Sequence, residues 1–137
     1  MIRVVIDTNV LVSGFRSPSG NPALVIKAVR EGLICPCVSD DIFSEYPDVL
    51  RRSKFGFAED EVTALLSTIQ DDGALFHPAA VAVAGPDPND FMFMLCAMEA
   101  QAEYLVTGNR RHFPERFYGS ARVVNARELI DRLVLGP

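Results

Sequence analysis

The chain has 137 residues, of which 49% are hydrophobic, and carries a net charge of −5 at pH 7. This length and composition predict one domain, residues 1–137, with a sizeable core. The acidic balance argues against a protein that holds nucleic acid on a broad basic face. No apolar run is long enough for a transmembrane helix, no signal peptide is evident, and three cysteines make no disulfide framework. We therefore expect a cytoplasmic protein that does not bind a membrane.

The first predicted element is a buried strand over residues 2–6, which are apolar apart from one arginine. Asp7 follows it directly. A short helix is predicted over Val10–Phe15, with its cap at Thr8 or Asn9. Asp7 alone allows two interpretations. It is either a residue that caps the helix or satisfies loop amides, or a ligand at the carboxyl edge of the sheet, where α/β proteins bind ligands.

The sequence from residue 21 to residue 70 predicts three helices and one strand. Asparagine and proline at 21–22 predict an N-cap and the start of a helix, and the apolar run 33–38 predicts a strand. Ser39 is the expected N-cap of the next helix, whose apolar residues recur at the spacing of a core-facing stripe. A basic connection, 51–56, leads to a further helix over 58–70.

The second half of the chain predicts a mostly buried helix and a capped final helix. Residues 78–86, rich in alanine, valine and proline, predict extended chain. Asp87 and the proline after it predict the start of a helix that is apolar through Met98. Asn125 with Glu128 predicts the start of the last helix. Three short strands are predicted as well: 74–76, 104–107 and 122–124. This alternation of strands and helices predicts an α/β fold with a parallel sheet.

Four polar residues occupy positions that such a fold can bring to one edge of the sheet. Asp7 and Asn109 each follow a predicted strand, Asp90 lies in the first turn of the buried helix, and Glu45 lies beside the apolar stripe of its helix. Carboxylates that are buried together repel one another, and a hard divalent cation removes that cost. Oxygen ligands suit Mg²⁺ or Mn²⁺, ions that assist phosphodiester hydrolysis.

Each of these residues also has a simpler interpretation. Asp87 and Asp90 fit the start of a helix without any ligand, and Glu45 fits a solvated helix position. His77 and His112 fit turn or packing residues better than metal ligands. The arginines that follow Asn109 fit a solvated loop. Spacing alone leaves these alternatives open.

At these residues the chain resembles the PIN domain family. The opening stretch Val5–Ser13 and the stretch Tyr104–Pro114 resemble two motifs of the family. The segment Ser39–Leu50 resembles the one that brings the second acid, and Asp87–Asp90 resembles the one that brings the third. The chain is similar in particular to a bacterial group of toxin components from toxin–antitoxin pairs, related to the VapC toxins.

This resemblance implies a three-layer α/β/α sandwich with a central, mainly parallel sheet. It also implies cleavage of RNA that depends on Mg²⁺ or Mn²⁺, a homodimer, and a protein antitoxin as partner. Asn109 departs from the family pattern, because many members carry a fourth acid at this position. An asparagine can accept a hydrogen bond or orient a water, but it adds no charge.

The leading hypothesis is a metal-dependent endoribonuclease of the toxin class. Its catalytic residues are Asp7, Glu45, Asp90 and Asn109, of which the three acids hold the metal. Supporting hydrogen bonds are expected from Thr8, Asn9 and Ser13, and RNA phosphate contacts from Arg16, Arg110 and Arg111.

Two other functions fit parts of the same pattern. A non-catalytic PIN-like module that binds RNA or a protein is favoured by Asn109, which weakens the metal site. A phosphatase of the haloacid-dehalogenase type also places an aspartate after its first strand. That chemistry needs a second acid two residues later, and this chain has Asn9 there.

Overall fold

One six-stranded sheet organises the structure, a computed structural model that describes residues 1–79 and 86–135. The strands follow the order β3-β2-β1-β4-β6-β5, and every pair is parallel except β5 with β6. The mainly parallel sheet predicted from the sequence is therefore confirmed. The strands are β1 (Ile2–Ile6), β2 (Ile34–Val38), β3 (Ala74–Leu75), β4 (Tyr104–Val106), β5 (Phe117–Tyr118) and β6 (Ala121–Val124).

Helices cover both faces of this sheet. Val4, Val5 and Ile6 of β1 are all fully buried, and successive side chains of a strand point to opposite faces. The described residues thus form the expected α/β/α arrangement. The helices are α1 (Thr8–Arg16), α2 (Asn21–Arg30), α3 (Asp40–Leu50), α4 (Glu59–Asp72), α5 (Phe91–Glu99) and α6 (Ala126–Leu135), with two 3₁₀ turns at Pro88–Asp90 and Arg110–His112.

Local capping explains where two of the helices begin. Ser39 Oγ accepts a hydrogen bond from the Ile42 backbone N–H at 3.3 Å, at the start of α3. Asn125 and Glu128 accept hydrogen bonds from each other's backbone N–H groups, at 2.8 and 3.0 Å, at the start of α6. These reciprocal bonds form a capping box, and both predicted helix starts are confirmed.

The start of α1 differs from the prediction. The helix begins at Thr8, so Thr8 and Asn9 are helical residues and not caps. Asp7 takes the N-cap position with extended backbone angles, but its side chain makes no capping hydrogen bond. The helix starts early because Asp7 O accepts a hydrogen bond from the Val10 backbone N–H at 3.0 Å, which closes the first turn directly after β1. Similarly, α2 has Gly20 at its N-cap position and begins at Asn21, one residue before the prediction.

Two further differences concern the second half of the chain. The helix predicted from Asp87 is divided into a 3₁₀ turn and α5. The hairpin of β5 with β6 was not predicted, because β5 has only two residues and carries no alternating pattern; Gly119 allows its tight turn with a φ of 62°. The extended chain predicted over 78–86 lies mostly outside the described residues.

The helices are too short or too polar to span a membrane, and the three cysteines form no disulfide, within the described residues. Within the described ranges, no helix combines the length and the apolar character needed to cross a bilayer. Cys35, Cys37 and Cys96 are free thiols. Burial raises the pKa values of Cys37 and Cys96 to about 12, so these two thiols stay protonated and unreactive at neutral pH.

Candidate active site

Asp7 lies at the carboxyl edge of the sheet, where β1 and β4 end side by side. Its backbone N–H donates to Val106 O at 2.9 Å, which continues the pairing of the two strands. Its side chain is only 5% exposed and accepts a hydrogen bond from Thr107 Oγ1 at 2.8 Å. The side chain is therefore hydrogen-bonded to the neighbouring strand end, and the backbone N–H of Asn9 in α1 lies near enough to lower its pKa as well.

The charge state of Asp7 links the three predicted acids. Burial raises the pKa of Asp7 to about 6, and the hydroxyl of Thr107 opposes this rise. The nearby carboxylates of Asp90 and Glu45 raise the pKa of Asp7 further. The three acids thus lie close enough to repel one another electrostatically.

Glu45 reaches this edge from α3, which two hydrogen bonds hold against the end of β1 and the start of α1. Glu45 is half-buried and its Oε2 accepts a hydrogen bond from the buried hydroxyl of Thr8 at 2.5 Å. The next residue, Tyr46, is fully buried and its hydroxyl donates to Ile6 O at 2.5 Å. These contacts place the carboxylate of Glu45 beside Thr8, the residue next to Asp7 in the chain.

Asp90 carries a buried oxygen that accepts no hydrogen bond. It ends the first 3₁₀ turn and is 7% exposed, and its Oδ2 has no hydrogen-bond partner among the described residues. That oxygen lies 3.0 Å from His112 Nδ1, in an alignment that does not make a hydrogen bond. Burial raises the pKa of Asp90; His112 opposes this rise, whereas the carboxylates of Asp87 and Glu45 add to it.

Asn109 and His112 form the opposite wall of the site. Asn109 Oδ1 accepts from the Arg111 backbone N–H at 3.2 Å and so caps the second 3₁₀ turn. Asn109 Nδ2 lies 3.2 Å from His112 Nε2. Because an amide NH₂ group only donates, Nε2 accepts this hydrogen bond and the ring proton belongs on Nδ1, the nitrogen beside Asp90.

The structure brings together one close group of metal-binding side chains among the described residues. Asp87, Asp90 and His112 each offer a ligand atom, and these atoms lie within 4.8 Å of one another. Neither Asp87 nor His112 was predicted from the sequence to be a metal ligand. Asp87 does cap its 3₁₀ turn as predicted, with Oδ1 accepting from the Asn89 N–H at 2.9 Å. The sequence feature that could have indicated a role for His112 is its position inside the motif that follows β4.

The donor atoms of this edge fit a hard divalent cation. Asp7 and Asp90 are buried carboxylates with raised pKa values, and one oxygen of Asp90 has no hydrogen bond. A buried carboxylate oxygen without a hydrogen bond is costly, and a cation offsets both that cost and the mutual repulsion of the acids. Carboxylate oxygens are the ligands that Mg²⁺ and Mn²⁺ prefer.

The predicted supporting residues divide into two groups. Thr8 and Asn9 are in contact with the site: Thr8 holds Glu45, and Asn9 Oδ1 accepts from the Gly108 backbone N–H at 3.0 Å. Asn9 thereby ties α1 to the turn after β4. Ser13 lies exposed farther along α1.

The three arginines predicted to contact phosphate have different surroundings. Arg110 forms an ion pair with Glu128 of α6. Arg111 is exposed beside the site, and Arg16 lies over the ring of Phe55 at the far end of α1.

Comparison with known proteins identifies the family. A family model described as PIN domain matches residues 3–111, which include Asp7, Glu45, Asp87 and Asp90 and both strand ends of the site. A search of curated proteins found no match.

Proposed function

The chain belongs to the PIN domain family, whose members are generally nucleases, and from this membership we propose that it is a metal-dependent endoribonuclease. The observation that carries the proposal is the buried Oδ2 of Asp90, which accepts no hydrogen bond from the described part of the chain and lies near two further interacting carboxylates. Such a cluster is destabilising unless a cation binds it. The proposed reaction is hydrolysis of an RNA phosphodiester bond.

In this proposal Asp7, Glu45 and Asp90 hold Mg²⁺ or Mn²⁺. When bound, the ion would orient a water for attack and neutralise charge on the phosphoryl oxygens. The chain's own residues prepare the ligands for this task. Thr107 and Thr8 donate hydrogen bonds to Asp7 and Glu45, and each bond orients its carboxylate.

His112 and Asn109 complete the proposed site around Asp90. His112 Nδ1 lies beside Asp90 Oδ2, and Asn109 restrains the ring from its other nitrogen. His112 is a positioning residue that sets the orientation of Asp90. Asp87 lies close by, and we assign it the role of capping the 3₁₀ turn that presents Asp90.

The direct test is cleavage of a mixed RNA by the purified chain with Mn²⁺. We expect the parent chain to cleave the RNA and EDTA to stop the cleavage. Asp7→Asn and Asp90→Asn should each abolish cleavage, while their far-ultraviolet circular dichroism should match that of the parent. Asp72→Asn, at the exposed end of α4, is a matched control that should cleave like the parent. Cleavage that persists in both site variants and in EDTA would disprove the proposal.

We further propose that the chain is the toxin of a toxin–antitoxin pair, that it acts in the cytoplasm, and that it forms a homodimer. The sequence resemblance to VapC-like toxins supports this role. Induced expression of the chain should arrest bacterial growth, and Asp90→Asn should relieve the arrest. Co-expression of a small adjacent reading frame should also relieve it, and growth that continues during induction of the active chain would contradict a toxin role.

The homodimer is tested separately, by sedimentation of the purified chain. A mass of about twice the 15.0 kDa of one chain is expected, independent of the presence of metal. A single species at the mass of one chain would contradict a homodimer without affecting the proposed nuclease.

A non-catalytic binding module is the second candidate, and Asn109 is the observation that favours it. Its amide is engaged by the Arg111 N–H and by His112, and it supplies no charge to a metal. This candidate predicts RNA binding without cleavage at any Mn²⁺ concentration, whereas the nuclease predicts both.

A further inference from the structure

We propose that Phe55, with Arg16 and Lys54 over its ring, is a stacking platform that binds an unpaired base of a single-stranded nucleic acid. The platform lies in the connection between α3 and α4, outside the candidate active site. The inference rests on the proposed function in one respect, because it names the form of nucleic acid that the nuclease would take.

Three phenylalanine rings form a continuous stack that ends at Phe55. Phe15 of α1 stacks on Phe57 with ring centroids 5.4 Å apart, and Phe57 stacks on Phe55 at 5.1 Å with an angle of 5° between the rings. Phe15 and Phe57 pack against the hydrophobic core, whereas Phe55 does not. Phe55 therefore packs against a ring that belongs to the core, but is not itself part of the core.

Two cations lie over the same ring. Arg16 Cζ is 5.4 Å and Lys54 Nζ is 5.1 Å from the centroid of Phe55. Neither cation forms an ion pair with any residue in 1–79 or 86–135, and both side chains are exposed. Long, exposed cationic side chains reorient easily, so a base can take their place over the ring while they turn to its phosphates.

The neighbouring basic residues are already neutralised by acids. Arg51 pairs with Glu59 at 2.8 Å, and Arg52 pairs with Asp48 at 3.4 Å. The uncompensated positive charge of this connection is therefore concentrated at the aromatic ring. Aromatic faces beside cations are the arrangement by which proteins hold unpaired bases with little sequence preference.

The platform lies within reach of the candidate active site. The helix α1 begins at Thr8, in contact with Glu45, and ends at Arg16, so the two sites lie about 12 Å apart along the helix axis. An oligonucleotide of a few nucleotides spans such a distance. A paired strand does not present a free base face, so the platform selects single strands over duplexes.

The absence of tryptophan from the chain allows a direct test. Phe55→Trp introduces one indole at the platform, and a base stacked on it quenches its fluorescence. Phe117→Trp is the matched control, because Phe117 is 49% exposed on β5 at the other edge of the sheet. The titrants are an RNA strand, a DNA strand of the same sequence and the corresponding duplex, all in EDTA so that no cleavage occurs.

We expect both single strands to quench the indole of Phe55→Trp, the duplex to quench it much less, and no titrant to quench Phe117→Trp. Tighter binding of one single strand than of the other would show whether the platform prefers RNA or DNA. Equal quenching of both variants, or by the duplex, would overturn the inference, as would the absence of quenching by either strand.

Affinity measurements give a second, independent result. Phe55→Leu should weaken binding of the single strand about tenfold, whereas Phe117→Leu should stay within about twofold. Arg16→Gln should lower the slope of log affinity against log salt by about 0.7, since one phosphate contact is lost. Unchanged affinity of Phe55→Leu would overturn the platform. Quenching without any metal-dependent cleavage would support the platform and contradict only the nuclease.

Discussion

The hydroxyl of Thr107 donates a hydrogen bond to Asp7 Oδ2 at 2.8 Å, although the two residues are 100 positions apart in the chain. Thr107 Oγ1 in turn accepts a hydrogen bond from the Asn109 backbone N–H at 3.0 Å. One side chain thus connects the end of β1, the end of β4 and the turn that carries His112. The alignment of the proposed metal ligands depends on this connection.

Removing the hydroxyl of Thr107 should weaken catalysis without removing any proposed ligand. We expect Thr107→Val to lower kcat/KM for RNA cleavage about tenfold or more, because a hydrogen bond to a charged group is worth at least about 1.5 kcal/mol. The acid limb of the pH–rate profile should also move to higher pH, since Thr107 opposes the rise of the Asp7 pKa. Thr107→Ser retains the hydroxyl and should resemble the parent; equal activity of the valine and serine variants would contradict this role.

Without divalent ions, the buried carboxylate of Asp7 should make stability depend on pH. Its pKa is about 6 in the folded chain and about 3.9 in an unfolded one, so the folded state binds the proton more tightly. The resulting stabilisation is complete below about pH 4 and is lost as the pH rises through 6. This loss is about 3 kcal/mol in the free energy of unfolding.

Urea denaturation in EDTA between pH 4 and pH 7 measures this effect. Asp7→Asn should be more stable than the parent at pH 7, and the difference should shrink toward pH 4. Asp72→Asn carries the same change of charge at an exposed position and should show a nearly constant difference. A constant difference for Asp7→Asn as well would show that its ionisation does not oppose folding.

Thermal denaturation should distinguish the proposed metal ligands from their neighbours. Millimolar Mn²⁺ should raise the Tm of the parent, because a ligand that binds only the folded state stabilises it. Glu45→Gln should lose most of this rise, whereas Asp87→Asn should keep most of it, because asparagine also caps the turn. The reverse order would assign the metal to the group of Asp87, Asp90 and His112 instead.

Gly73 should tolerate no side chain at the junction of α4 and β3. A Cβ at this position would lie 2.4 Å from Ile69 O and 2.6 Å from Pro36 O, and both are backbone atoms. Gly73→Ala should therefore destabilise the protein by about 1–3 kcal/mol in urea denaturation. At Gly20 the nearest atom would be 3.5 Å away, so Gly20→Ala should cost under about 0.5 kcal/mol. Similar costs for both variants would contradict the steric argument.

The α/β alternation, the mainly parallel sheet and the capped starts of α3 and α6 could all be predicted from the sequence. These features follow from periodicity and from side chains that satisfy backbone groups a few residues away, which are local effects. The sequence also identified Asp7 and Asp90 as acids at strand and helix ends. Local patterns did not reveal β5, because a two-residue strand exists only through its partner β6.

The contacts of these acids, in contrast, depend on the folded chain and could not be predicted from local patterns. The parallel pairing of β1 with β4 brings Thr107 to Asp7, and the packing of α3 brings Glu45 to Thr8. The turn after β4 places His112 beside Asp90, although its spacing in the sequence indicated an ordinary turn residue. Burial and repulsion, the causes of the raised carboxylate pKa values, arise between residues that are distant in the chain, so they appear only when the sheet has formed.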